Sequence, residues 1–227
     1  MKTFTTLAVA GLMTLSGAAF SAQALERVRG TIEKADGGMV TIKTVDGATE
    51  TVDVGGAKFA WVVKSSLDQI KDGVFIGTAT KGENPMTALE VVLFPESMRG
   101  TGEGHYGWDS IADQTAAGGA AVKSSMTNGT VKAESGASRV KSAMTNGTVK
   151  ADTAGASGTK TLTVGYGKDG AAKTIEVPPT APIVAFEPAD KAILTPGSKI
   201  FAVVDKAGSK IEGKLIAVGK DGLTPPM

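Results

Sequence analysis

The sequence predicts an all-β protein of two tandem small β-barrels, joined by a linker rich in Gly, Ala, Ser and Thr. Three observations carry that expectation. One order of motifs occurs twice along the chain. Each copy holds an Asp-Gly pair between alternating apolar and polar residues, and each closes on a β-rich apolar segment.

The copies run in parallel from their first strands. Val28-Arg29-Gly30-Thr31-Ile32 opens one, and Thr145-Asn146-Gly147-Thr148-Val149 opens the other. Val40-Thr41-Ile42-Lys43, Asp46-Gly47 and Glu50 to Val54 follow in the first; Leu162-Thr163-Val164, Asp169-Gly170 and Lys173 to Val177 follow in the second. An Asp-Gly pair flanked by alternation is a strong short-range hairpin signal, because the tight turn needs positive φ. A short helix or turn is expected next, over Ser65 to Ile70 and over Pro188 to Leu194. Lys71 to Gly77 and Thr195 to Phe201 lead through a glycine corner into a fourth strand. Ala88 to Phe94 and Lys214 to Val218 close the copies. About five strands in roughly 65 to 75 residues suit a small closed barrel of the OB type, and closure removes exposed strand edges. A single sandwich built from all ten strands is the alternative reading.

Between the copies, Val122 to Ala133 recurs almost unchanged at Val140 to Ala151, a shift of 18 residues. Near-identity over so short a period indicates a tandem duplication, since a solenoid needs about three repeats or more. Spacing assigns the Met144 copy to the first strand of the second barrel and leaves the Met126 copy spare. The expected organisation is therefore a signal peptide over 1–24, a first barrel over 25–99, a linker over 100–143 and a second barrel over 144–227.

The signal peptide rests on Lys2, the apolar stretch from Leu7 to Leu15 broken only by Thr14, and the Ala22-Gln23-Ala24 cleavage pattern. That stretch is too short for a spanning helix, which needs about 20 residues. No later stretch reaches about 18 apolar residues without a charge, so no transmembrane segment is expected after cleavage. The expected destination is outside the cytoplasm, the periplasm if the source is a Gram-negative bacterium.

Composition narrows the function. Without the first 24 residues, 23 basic and 23 acidic groups remain, and this neutrality argues against nucleic acid as a partner. The chain has no cysteine, which excludes disulfides, thiolate zinc sites and a cysteine nucleophile, and its single histidine excludes two-histidine metal motifs.

The GTI opening, the DG hairpin, the segment IKDGVFIG, the passage FPESMRGTGEGHYGWD and the ending VGKDGLTPPM together resemble a family of exported proteobacterial proteins. These are built from tandem small OB-like β domains of unknown function, and the resemblance spans nearly the whole mature chain. Members often carry a metal-transporter permease label, which fits poorly because a permease needs several spanning helices. The 18-residue duplication departs from the family pattern. The resemblance implies no catalytic residues.

The most distinctive passage is Gly100 to Asp109. It holds the only histidine, one tyrosine, one tryptophan and two carboxylates. Its glycines let backbone approach a ligand closely. Glu103, His105, Tyr106, Trp108 and Asp109 are the candidate ligand or partner site. Glu103, His105 and Asp109, with Met98 nearby, form the candidate set for a divalent cation, the one cofactor the sequence suggests. The structural alternative is that Tyr106 and Trp108 pin the linker to a barrel. Phe59 and Trp61, matched by Ile183 and Phe186, are candidates for a binding face or, more simply, for packing. Gly100-Thr101-Gly102-Glu103-Gly104 does not match a dinucleotide fingerprint. No G-x-S-x-G elbow accompanies His105, so no enzyme is expected. The function read from the sequence is a non-catalytic exported binding or accessory protein, with an envelope protein or small ligand as partner. A metal-handling protein is the alternative.

Overall fold

The computed structural model describes residues 25–83, 85–132, 158–206 and 210–227. The expected signal peptide and the Met144 copy of the duplication lie outside the described residues. The chain is all-β, with thirteen strands among the described residues and helical structure confined to short 3-10 turns.

The first copy supplies β1 (Glu26–Asp36), β2 (Met39–Thr44), β3 (Thr49–Asp53), β4 (Lys58–Lys64), β5 (Phe75–Lys81) and β6 (Met86–Leu93). Next come β7 (Gly104–Ala112) and β8 (Ala121–Lys132). The second copy continues with β9 (Lys160–Tyr166), β10 (Ala171–Val177), β11 (Ile183–Ala189), β12 (Lys199–Asp205) and β13 (Glu212–Gly219). The Asp-Gly pairs turn the β2–β3 and β9–β10 hairpins, with Gly47 at φ 91° and Gly170 at φ 71°. One 3-10 turn, over Leu67–Gln69 or Lys191–Ile193, follows the third strand of each hairpin set and the strand after it.

The pairing of the copies differs from two self-contained units. β1 pairs with β12, setting Arg29 opposite Phe201, and β8 pairs with β5, setting Asn128 opposite Gly77. β10 meets β6 in parallel at Ile175 and Glu176, and β13 meets β3 at Glu212. β4 pairs with β13 in parallel, β11 with β6 in parallel, and β4 with β11 antiparallel. The sheet order β10-β9-β8-β5-β6-β11-β4-β13-β12-β1-β2-β3 reads the same backwards once each strand is replaced by its counterpart in the other copy. Each copy therefore lends its last two strands to the other's hairpin, and the sheet does not divide at 100–143. The physical reason is that two copies with equivalent apolar faces can complete either partner, as in domain swapping.

The expected linker is also structured. β7 and β8 both lie within 100–143, and the Met126 copy, expected to be spare, is β8, bonded to β5, β7 and β9. Its pattern is nearly identical to that of the Met144 copy, so spacing alone could not choose between them.

Apolar side chains that alternate along the strands fill two equivalent interiors. One contains Val28, Ile32, Val40, Ile42, Val52 and Ile216; the other contains Val131, Leu162, Val164, Ile175, Ile76 and Val91. A third cluster lies between them, with Ala60, Val62, Val92, Val184, Phe186 and Phe201. Each large side chain so buried contributes roughly 1.5–3 kcal/mol.

One glycine in each copy is required by this geometry. β1 passes from β12 to β2 near Gly30, and β8 passes from β5 to β9 near Gly129. A Cβ on Gly30 would stand 2.1 Å from the Lys43 carbonyl oxygen, and one on Gly129 2.3 Å from that of Gly165. Backbone cannot yield as a flexible side chain can. Gly30→Ala and Gly129→Ala should each destabilise the protein by about 1–3 kcal/mol, on the scale of overpacking. Gly56→Ala, which meets no atom within 4 Å, should change stability by less than about 0.5 kcal/mol. Urea melts of the three variants check this.

Candidate functional site

From Gly104 onward the passage, expected to belong to the linker, is a strand, because backbone pairing to β8 needs no particular side chain. His105 stands opposite Thr127, Tyr106 opposite Met126 and Gly107 opposite Ser125; the register then slips, so that Ser110 meets Lys123. The bulge leaves Trp108 and Asp109 outside the regular ladder and re-aims both, as bulges do. Ser124 Oγ fixes it by donating to the Asp109 carbonyl oxygen at 2.7 Å.

Asp109 is held by two arginines of β1. Arg27 donates through Nη2 to Oδ1 at 2.9 Å and through Nε to Oδ2 at 3.2 Å, and Arg29 Nη1 donates to Oδ2 at 2.8 Å. The Arg27 guanidinium also lies 4.1 Å from the centroid of the Trp108 ring, a cation–π contact. Burial by itself would raise the Asp109 carboxyl, but the hydrogen bonds and charges of Arg27 and then Arg29 outweigh it and hold it below the usual carboxylate range. Arg29 Nε donates to the Met227 carbonyl oxygen.

The other candidates have separate partners. Glu103 Oε1 accepts from Gly167 N at 2.9 Å, tying this segment to the β9–β10 turn. His105 Nδ1 lies 2.9 Å from Thr127 Oγ1, and its ring stands 6.3 Å from that of Tyr166. Burial, then the Lys173 charge, depresses the imidazole pKa and keeps it neutral at neutral pH. Thr127 is fully buried, so this pair orients the imidazole rather than exposing an activated alcohol. Tyr106 OH donates to the Gly102 carbonyl at 3.1 Å, and its ring lies 6.1 Å from Trp108. Glu103, His105 and Asp109 are thus directed to different neighbours, and Asp109 already neutralises arginine. Among the described residues no three His, Asp or Glu side chains stand together so as to hold a metal ion. Met98 is buried in the central cluster with Phe186.

Tyr106 and Trp108 meet at a cavity of about 750 Å³ between the central cluster and β7. Its apolar wall is built from Phe94, Phe186, Phe201, Val92 and Leu215 with Trp108. Phe94 is packed edge-on against Phe75 at 5.5 Å and Phe186 at 5.1 Å. Asn128 contributes a polar point. Its Nδ2 donates to the Gly102 and Thr101 carbonyls at 3.0 and 3.2 Å, while its buried Oδ1 has no partner. The charged residues on the lining are Arg27, Lys58, Lys214 and Glu103. Of the aromatic positions singled out in the sequence, Phe186 reaches this wall, whereas Phe59 and Trp61 pack against the interior containing Val28.

Sequence reasoning missed Glu90. It stands in an apolar strand, 1% exposed, and its Oε1 has no partner. A bulge at Leu89 sets Glu90 opposite Ala79 on β5; the matching bulge at Lys214 sets Leu215 opposite Val203 on β12. Glu90 therefore occupies the place of a leucine in the other copy. Burial pushes its carboxyl up to about 8, with the Arg29 charge opposing. The signal available in the sequence was one acid inside the run Ala88 to Phe94.

The chain matches no protein-family model, no curated protein and no solved structure.

The two carboxyls should give stability opposite dependences on pH. Asp109→Asn leaves Arg27 and Arg29 without a counter-ion and should cost about 1–2 kcal/mol at pH 7, charge-assisted bonds discounted for partial exposure. Because the folded carboxyl lies below its ordinary value, the difference from wild type should persist above the usual aspartate range and close as pH falls through the folded value. Thermal melts across pH 2–7 would show it, with ~4 as the ordinary aspartate reference. Glu90 has the opposite sign. The folded protein retains a proton that the unfolded chain releases above the reference value of 4.5, so stability falls with rising pH until about 8. Glu90→Gln should match wild type near pH 4 and exceed it by several kcal/mol near pH 9, since a tenfold change in an acid dissociation constant corresponds to about 1.4 kcal/mol. A flat difference across that range in urea melts would contradict the buried acid.

Proposed function

We propose that this chain is a non-catalytic exported binding protein whose ligand site is the cavity beneath Tyr106 and Trp108. The single observation that carries the reading is the cavity itself: about 750 Å³, with a wall of aromatic and aliphatic side chains. Small-ligand sites are concave, mostly apolar and about 300–1,000 Å³ in volume. Export is supported by the N-terminal sequence, and no described helix is long and apolar enough to cross a membrane. We read the two strand sets as small OB-like barrels that exchange strands. The returns of β10 to β6 and β13 to β3, and the apolar interiors they surround, support this reading.

The test uses N-phenyl-1-naphthylamine, a neutral apolar fluorophore. Wild type should show saturable one-site enhancement. Leu215→Trp, which fills the cavity from its wall, should weaken binding at least about tenfold, or roughly 1.4 kcal/mol, while retaining the wild-type circular dichroism. Absence of saturable binding by wild type would overturn the reading.

A further inference from the structure

We infer that the cavity takes an amphipathic carboxylate, its apolar body against Trp108, Phe94 and Phe186 and its anionic head at Lys58. This rests on the cavity being a ligand site and adds the class of ligand. Charge on the lining selects the head group. Three of the four charged residues on the lining are cations, Arg27, Lys58 and Lys214, and Glu103 is the fourth. Lys214 is answered by Glu212 at 3.0 Å and Asp205 at 3.9 Å. Arg27 is answered by Asp109, which it shares with Arg29, and Arg29 is also held by the Met227 main-chain oxygen.

Lys58 is the cation free to take a ligand head. Among the described residues it makes no ion pair. It begins β4 opposite Leu215 of β13, so its exposed side chain stands at the rim of the apolar wall. A flexible ammonium at the edge of an apolar surface can rest its stem on that surface and keep its charge in water. An amphiphile entering from solvent would leave its head there, where ion pairing costs little desolvation. A cationic head would instead meet Lys58, and like charges oppose binding.

The experiment displaces N-phenyl-1-naphthylamine with dodecanoate, dodecanol and dodecylammonium, three ligands with one chain and different heads. Dodecanoate should bind about tenfold tighter than dodecanol, and dodecylammonium weaker than either. Lys58→Met should lower dodecanoate affinity severalfold, leave dodecanol unchanged and reduce the salt dependence of dodecanoate binding. Equal affinity for dodecanoate and dodecanol, or equal loss of both in Lys58→Met, would overturn the carboxylate assignment while leaving the cavity a binding site. Failure of the naphthylamine itself to bind would instead remove the underlying reading.

Discussion

The antiparallel pairing of β4 with β11, with Val62 against Phe186 and Trp61 against Glu187, joins the two copies at the centre of the sheet. Each strand of that pair is also bonded in parallel to the last strand of the opposite copy, β4 to β13 and β11 to β6. Parallel neighbours cannot be joined by a tight hairpin. Here the chain obtains them from the other copy. Neither apolar interior is completed by one copy alone, because β12 and β13 surround Val40 and Ile42 while β5 and β6 surround Leu162 and Val164. Opening either interior would expose strand edges of both, and this links the two halves physically.

Among the described residues β7 has no counterpart in the other copy, and it breaks the symmetry. It pairs with β8 and carries Trp108 to the side of the central cluster. There it walls a cavity instead of completing a packed core. Gly77 helps to leave that space: it stands opposite Asn128, where the equivalent Phe201 stands opposite Arg29. A Cβ on Gly77 would come within 2.5 Å of Asn128 Oδ1. The paired bulges show the same divergence. One carries Lys214 and Leu215 to the cavity lining, while the other buries Leu89 and Glu90.

The buried acid and the arginine pair represent two solutions to charge away from water. Asp109 remains ionised because two guanidiniums donate to it; Glu90, whose Oε1 has no donor, retains its proton near neutrality. Desolvation disfavours the charged form in both cases, and the hydrogen bonds decide the difference. Arg29 belongs to both environments, since its charge also lowers the Glu90 pKa. The cavity wall and the protonation of a buried strand residue are therefore electrostatically connected.

By itself the sequence determined the all-β class, the duplicated order of motifs, the two Asp-Gly hairpins and the alternating interior residues. These are local properties: a turn needs positive φ at Gly47 or Gly170, and alternation puts Val40 and Ile42 on one face. It also marked Tyr106 and Trp108 as unusual in their surroundings. Tertiary structure alone decided which copy closes which, because both copies offer equivalent faces and no local rule separates them. It decided that Gly104 to Ala112 is a strand, since the ladder to β8 is made by backbone that glycine-rich composition does not reveal. It brought Arg27 to Asp109 across 82 residues and set Glu90 where the other copy has Leu215. Such pairings depend on bulges and register, and a slip of one residue turns a strand's side chains to the opposite face.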